Sequence, residues 1–233
     1  MSRAILGAIT VGTSEPDSTI REIRNHLPES VEIAIYGILD GFTDDQVADL
    51  APEPGQVGIV SVSPGGNEVL LSHEKIIPLV SEQVTRAEAD GVAATVVLCG
   101  AGWQAVPRTK PLIDPGSVFP SVVTALAGPQ RLGIVKPSAG QIAKEKSRYE
   151  AWGVNVAVTS ANPYAENLEQ VRQAGRFLLA AGTELVWMTC VDFTEAHREA
   201  MAEETGVPVI LARTLISRIL AEVMASATVP SFA

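Results

Sequence analysis

Two stretches of this chain, Gly91-Val-Ala-Ala-Thr-Val-Val-Leu-Cys99 and Gly182-Thr-Glu-Leu-Val-Trp-Met-Thr-Cys190, follow one plan. Each starts at a glycine that closes a helical segment, continues through apolar residues, and stops at a cysteine. Apolar runs without alternation read as parallel strands buried on both faces, and such strands occur where helices cover the sheet. The chain is therefore expected to be α/β, with two similar parallel-sheet halves related by pseudo-twofold symmetry. Cys99 and Cys190 are the only cysteines. Each would stand at the carboxyl end of its strand, where open α/β sheets place their ligands. Two halves folded alike would let the thiols face each other across one cleft.

The remaining pattern supports a duplication. Strands are expected over 4–11 and 31–36, with a turn and cap over 13–18 opening a helix that runs to about Leu27. A short helix over 44–50, a hairpin over 56–63 and 68–73, and a helix over 75–90 lead into the Cys99 strand, and a helix over 117–127 closes the half. The second half repeats the order: strand 131–135, helix 139–152, strand 155–160, helix 162–181, the Cys190 strand, strand 207–211 and helix 214–224. This is an internal repeat of roughly 90 to 100 residues, and the first half carries the additional hairpin. The expected domains are 1–114, joined by a returning helix over 213–226, and 115–212. Asp192-Phe-Thr-Glu195 has the form of a capping box, placing Cys190 just ahead of a helix N-terminus, while His197 is expected to face solvent.

Composition narrows the function. A net charge of −10 with no Lys/Arg cluster argues against nucleic acid as partner. No charged leader precedes an apolar stretch and no apolar run approaches about 18 residues, so a cytoplasmic protein with no membrane partner is expected. His26, His73 and His197 are scattered and no CxxC occurs, which gives no metal site. Neither GxGxxG nor GxxxxGK[ST] is present, so no nucleotide cofactor is expected. Room for a homo-oligomer remains.

Two opposed thiols permit specific chemistry. A cysteine near a helix N-terminus or a cation can be a thiolate base while its partner keeps its proton. Such a pair can take a proton from the carbon beside a carboxylate and return one to the other face; alternatively, one thiolate adds to an alkene during isomerisation. A lone thiol can also protonate an enediolate after carbon dioxide leaves. Each route builds negative charge on the substrate carboxylate, which N–H groups and hydroxyls at strand ends must hold. Candidates are Thr13 and Ser14 after the first strand, Gly100 and Ala101 after Cys99, and Ser138 and Ser160 in the second half. Lys136 is the candidate cation, and Val191 and Asp192 follow Cys190. A binding or regulatory protein on the same framework is the competing class.

Duplicated α/β halves with a cysteine at each strand end resemble the aspartate/glutamate racemase superfamily, with its hydantoin racemases, maleate isomerases and arylmalonate decarboxylases. Gly7-Ala-Ile-Thr-Val-Gly12, Gly37-Ile-Leu-Asp-Gly41, Leu50-Ala-Pro-Glu-Pro-Gly55 and the Cys190 strand resemble the AroM family within it. The resemblance implies cofactor-independent racemase or isomerase chemistry on a small carboxylate, with Cys99 and Cys190 catalytic and Tyr36 beside the ligand. It also exposes a departure. Amino-acid racemases commonly follow the first cysteine with Asn-Thr and the second with Thr-His, where this chain has Gly100-Ala101 and Val191-Asp192.

Overall fold

A computed structural model of the chain describes residues 3–15, 18–225 and 227. The chain divides into two compact units, residues 1–118 with 218–233 and residues 119–217. The expected cap over 13–18 includes Pro16 and Asp17, and the expected last helix includes Ser226; these three lie outside the described residues.

In the first unit, β1 (Ala4–Thr10), β2 (Val31–Gly37), β5 (Ala94–Val97) and β6 (Leu112–Ile113) form a parallel sheet in the order β2-β1-β5-β6. Helix α1 (Ser18–His26) links β1 to β2, and α3 (His73–Ala89) leads into β5. Between β2 and α3 lie α2 (Asp44–Ala48) and the antiparallel ribbon β3 (Gly58–Val62) and β4 (Glu68–Ser72). The ribbon turns Ile59 and Leu71 into the core around Ile76, Val80 and Val84 of α3. Ser61 Oγ donates to the Val11 carbonyl at 2.8 Å, fastening the ribbon to the loop after β1.

The second unit contains β7 (Leu132–Lys136), β8 (Val156–Ser160), β9 (Leu185–Met188) and β10 (Val209–Leu211), parallel and ordered β8-β7-β9-β10. Its helices are α5 (Ile142–Ala151), α6 (Glu169–Ala180) and α7 (Glu195–Thr205), and α4 (Pro115–Ala127) and α8 (Ala212–Ala225) each have one end in either unit. Every residue of β5 and β9 is buried, as continuous apolar strands covered by helices should be. No helix among the described residues is long and apolar enough to cross a membrane.

The units match hydrogen bond for hydrogen bond. Leu98 N donates to Ile9 O and Thr189 N to Val135 O; Ile38 N donates to Thr10 O and Ala161 N to Lys136 O; Thr95 N donates to Pro111 O and Val186 N to Pro208 O. In this correspondence Gly7 of β1 equals Gly133 of β7. A Cβ at Gly133 would lie 2.6 Å from Thr183 Cγ2 and 3.1 Å from Leu178 Cδ1, and one at Gly7 would lie 3.0 Å from Thr95 Cγ2. The missing side chain lets the end of the preceding helix close onto the central strand.

Several boundaries differ from the sequence reading. The helix expected over 162–181 starts at Glu169, because Asn162 Oδ1 accepts the Tyr164 N–H in a side-chain turn and Pro163 has no N–H to donate. Helix α4 starts two residues early, since Asp114 caps it through Gly116 N and Pro115 fits a first helical position. Helix α7 is capped by Thr194 rather than Asp192; its N–H donates to His197 Nδ1 at 2.9 Å, so histidine takes the place expected for Glu195. His197 is 7% exposed, not solvent-facing, because that bond draws its ring edge-on to Phe193.

Filling the space at Gly133 tests the close packing. Gly133→Ala should lower stability by about 1–3 kcal/mol, the usual range for an overpacked core. Urea unfolding should show a lower midpoint with an unchanged slope.

Candidate functional site

The last paired residues of the two central ladders are Val97, opposite Ile9, and Met188, opposite Val135. Cys99 and Cys190 each follow by two residues, so they hold the same position in their own sheets. Both thiols are partly buried against the core of their unit. The loops that follow them differ.

After Cys99 the chain makes an exposed turn at Gly100 and Ala101, whose N–H groups find no acceptor among the described residues. Trp103 then re-enters the core completely and donates its Nε1–H to the Cys99 carbonyl at 2.8 Å. His73, the first residue of α3, stacks edge-on against Trp103 at 4.9 Å and donates through Nε2 to the Gly102 carbonyl at 2.9 Å. Buried Asp114 completes the frame, accepting from Trp103 N at 2.9 Å, Ser117 Oγ at 2.8 Å and Gly116 N at 3.0 Å. Helix α4 approaches so closely that a Cβ on Gly116 would lie 2.4 Å from Gly102 N and 2.6 Å from its Cα.

In the second unit the residue equivalent to Gly116 is Arg213, and it carries charge to the cysteine loop. Arg213 Nε donates to the Val191 carbonyl at 2.6 Å, and Nη2 stands 4.0 Å from Asp192 Oδ1. Asp192 Oδ2 accepts from Tyr164 Oη at 2.6 Å and from Cys190 Sγ at 3.5 Å. Tyr164 comes from the loop after β8, so three strand ends converge on this carboxylate. Asp192 is thus a hub for the thiol, and not the helix cap the sequence suggested.

The other candidates divide by what already holds them. Thr13 and Ser14 follow β1 as expected, but the Ser14 N–H donates to Asp40 Oδ1 at 2.9 Å, which commits it within the protein. Tyr36 points elsewhere: its hydroxyl donates to Asp90 Oδ2 at 3.0 Å, at the helix end that precedes β5 and not at the cysteine end. Burial and the Asp90 carboxylate push this phenol up to about 12. Lys136 ends β7 with its ammonium 3.6 Å from Glu145 Oε1, so its charge is balanced within the unit. Ser160 stands opposite Lys136 at the end of β8, and Ser138 precedes the 3-10 turn Ala139–Gln141. Among the described residues no three His, Cys, Asp or Glu side chains gather as metal ligands would.

Sequence reasoning missed Arg213, Tyr164, Asp114 and His73. The Asn162-Pro163 pair was the available signal for the Tyr164 loop, since that dipeptide starts turns and not helices. Arg213 could have been found by aligning Pro208 with Pro111.

Two outcomes follow from these loops. Gly116→Ala gains up to about 1 kcal/mol of helix propensity, but its methyl meets backbone that cannot rotate away, at a cost of about 1–3 kcal/mol. Net destabilisation is expected, with a changed near-ultraviolet signal from Trp103. His197 is held below its ordinary 6.5 by burial first and the Arg213 charge second. The unfolded chain therefore binds the extra proton between 6.5 and the folded value, so stability is complete above 6.5 and falls as pH drops below it. His197→Gln should flatten the pH dependence of the urea midpoint in that window.

The family model described as AroM protein matches residues 6–224. No curated protein sequence matches this chain. Among solved structures, Picrophilus torridus aspartate racemase is similar at 10% identity and a TM-score of 0.54, covering 95% of this chain and 94% of its own. Unliganded arylmalonate decarboxylase shares 10% identity at a TM-score of 0.60, over 98% and 96%. Nocardia farcinica maleate cis-trans isomerase bound to TRIS shares 16% identity at 0.60, over 95% and 92%. These likenesses define an α/β fold of the aspartate/glutamate racemase type, with the match spanning nearly the whole of each protein. By its sequence over almost its full length, this chain belongs to the AroM protein family.

Proposed function

We propose that this protein is a cofactor-independent racemase or isomerase acting on a small carboxylate, with Cys99 and Cys190 exchanging protons at one substrate carbon. The observation that carries the reading is the equivalent register of the two thiols, each two residues past the last paired position of a central strand. The reading requires the thiols to reach opposite faces of that carbon. One, as thiolate, takes the proton next to the carboxylate and becomes S–H. The electron pair left behind spreads onto the carboxylate oxygens, and the other S–H delivers its proton to the opposite face, leaving sulfur with the electron pair. The N–H groups of Gly100 and Ala101 are suited to the developing oxyanion, because they find no acceptor among the described residues.

A one-thiol route through Cys190 is the second reading, favoured by the carboxylate beside Cys190 and its replacement by Ala101 beside Cys99. Solved structures of this fold include an arylmalonate decarboxylase and a maleate cis-trans isomerase, which supports testing decarboxylation as well as isomerisation.

The test is incubation in deuterium oxide with dicarboxylates, amino acids, arylmalonates and hydantoins, following exchange at the carbon beside the carboxylate. Two-thiol chemistry predicts that Cys99→Ala and Cys190→Ala each lose exchange by about 10²–10⁴-fold, the usual contribution of a general acid or base. Loss in Cys190→Ala alone selects the one-thiol route. Tight binding with no exchange in the wild type would replace the enzyme reading with a binding role.

A further inference from the structure

The two cysteines hold equivalent positions in their sheets, but the side chains two residues further on differ in charge, Ala101 in one unit and Asp192 in the other. We propose that Asp192, positioned by Arg213, keeps Cys190 in its proton-bearing form and so makes it the proton donor of the pair. This rests on the reading of Cys190 as a working thiol and adds a direction to it.

The geometry assigns the roles. Cys190 Sγ donates to Asp192 Oδ2 at 3.5 Å, within reach for a sulfur donor, and a sulfur that donates carries its hydrogen. Ionising Cys190 would set a second negative charge against the first, and like charges at this separation disfavour it. Asp192 cannot swing aside easily. Arg213, 7% exposed, holds the loop by the Val191 carbonyl while its other nitrogen faces Oδ1, and Tyr164 shares Oδ2 with the thiol, donating to it at 2.6 Å. At the equivalent places the first unit has Ala101, which carries no charge, and Gly116, which has no side chain.

The charged and titratable groups facing this corner are Asp192 on the cysteine loop, Tyr164 from the loop after β8, Arg213 at the start of α8, and His197 on α7. The Lys136–Glu145 pair lies at the neighbouring strand end. Burial and the Arg213 charge hold His197 below its ordinary value, and the Asp192 carboxylate is the acidic group in contact with the sulfur. In turnover the Cys190 S–H bond breaks, a C–H bond forms on substrate, and sulfur keeps the electron pair beside Asp192. That thiolate regains a proton from water while Cys99 releases to water the proton it took from the substrate, so both sulfurs return to their starting forms. A pair biased in this way takes protons at Cys99 and gives them at Cys190, which suits a reaction with a preferred direction better than a symmetrical racemization.

Alkylation by iodoacetamide reads each thiol without any substrate. Modification of Cys99 and Cys190 is quantified separately by peptide mass spectrometry across pH, in the wild type, Asp192→Asn and Tyr164→Phe. In the wild type, Cys190 should react with a midpoint at higher pH than Cys99. Asp192→Asn should speed Cys190 at neutral pH about tenfold, one unit of thiol ionisation, and leave Cys99 within about twofold. Tyr164→Phe keeps both charges and removes a donor competing for the carboxylate, so Cys190 should slow. A merely structural loop would loosen and react faster in both variants. Faster Cys190 in Tyr164→Phe, or no acceleration in a folded Asp192→Asn protein, overturns the proposal. Should Asp192→Asn fail to fold, the direction of the Tyr164→Phe change decides alone. Exchange in deuterium oxide judges the enzyme reading separately, so either can fail without the other.

Discussion

The parallel ladder between the two central strands of each sheet fixes everything downstream of it. Ladder bonds from Ile9 to Leu98 and from Val135 to Thr189 lock strand register to the residue, and a cysteine then emerges one position later in both units. A slip of one residue would turn each thiol to the other face of its sheet. The register is protected by packing, because β5 and β9 are buried along their whole length and Gly7 and Gly133 admit the helix ends. The positions of the two thiols therefore follow from the most deeply buried strands of each unit.

Against this shared backbone the two units have diverged in charge. In the first, a buried aspartate, a tryptophan and a histidine are spent on holding a loop whose outer face offers only backbone N–H groups. In the second, an arginine and a tyrosine meet the aspartate that accepts from the sulfur. One framework therefore supplies a corner whose carboxylate is spent on backbone and hydroxyl donors and a corner whose carboxylate meets the thiol. On the proposed two-thiol reading, such a difference biases which of the two sulfurs holds the proton.

How much of this was legible follows from which interactions are local. Continuous apolar runs, glycine stops and capping residues act over a few neighbours, so nine of the ten strands were anticipated to within a few residues, and the two-residue β6 was missed. Errors arose where a side chain competed with the local signal. Asn162 and Pro163 held the chain out of helix for seven residues, and His197 displaced the expected glutamate from the α7 cap. Among the site residues, Lys136 was recognisable as a cation, but the Glu145 that balances it lies on another element. Tyr36 was singled out by resemblance, and only its bond to Asp90 directs its hydroxyl to the far end of the sheet.

By itself the sequence determined the class of fold, the duplication, and the placing of Cys99 and Cys190 at strand ends, because burial periodicity and turn chemistry are written in consecutive residues. Tertiary structure alone decided which groups surround each sulfur. Arg213 and Tyr164 are each more than twenty residues from Cys190, and a charge acts on a thiol through distance in space, which chain separation does not encode.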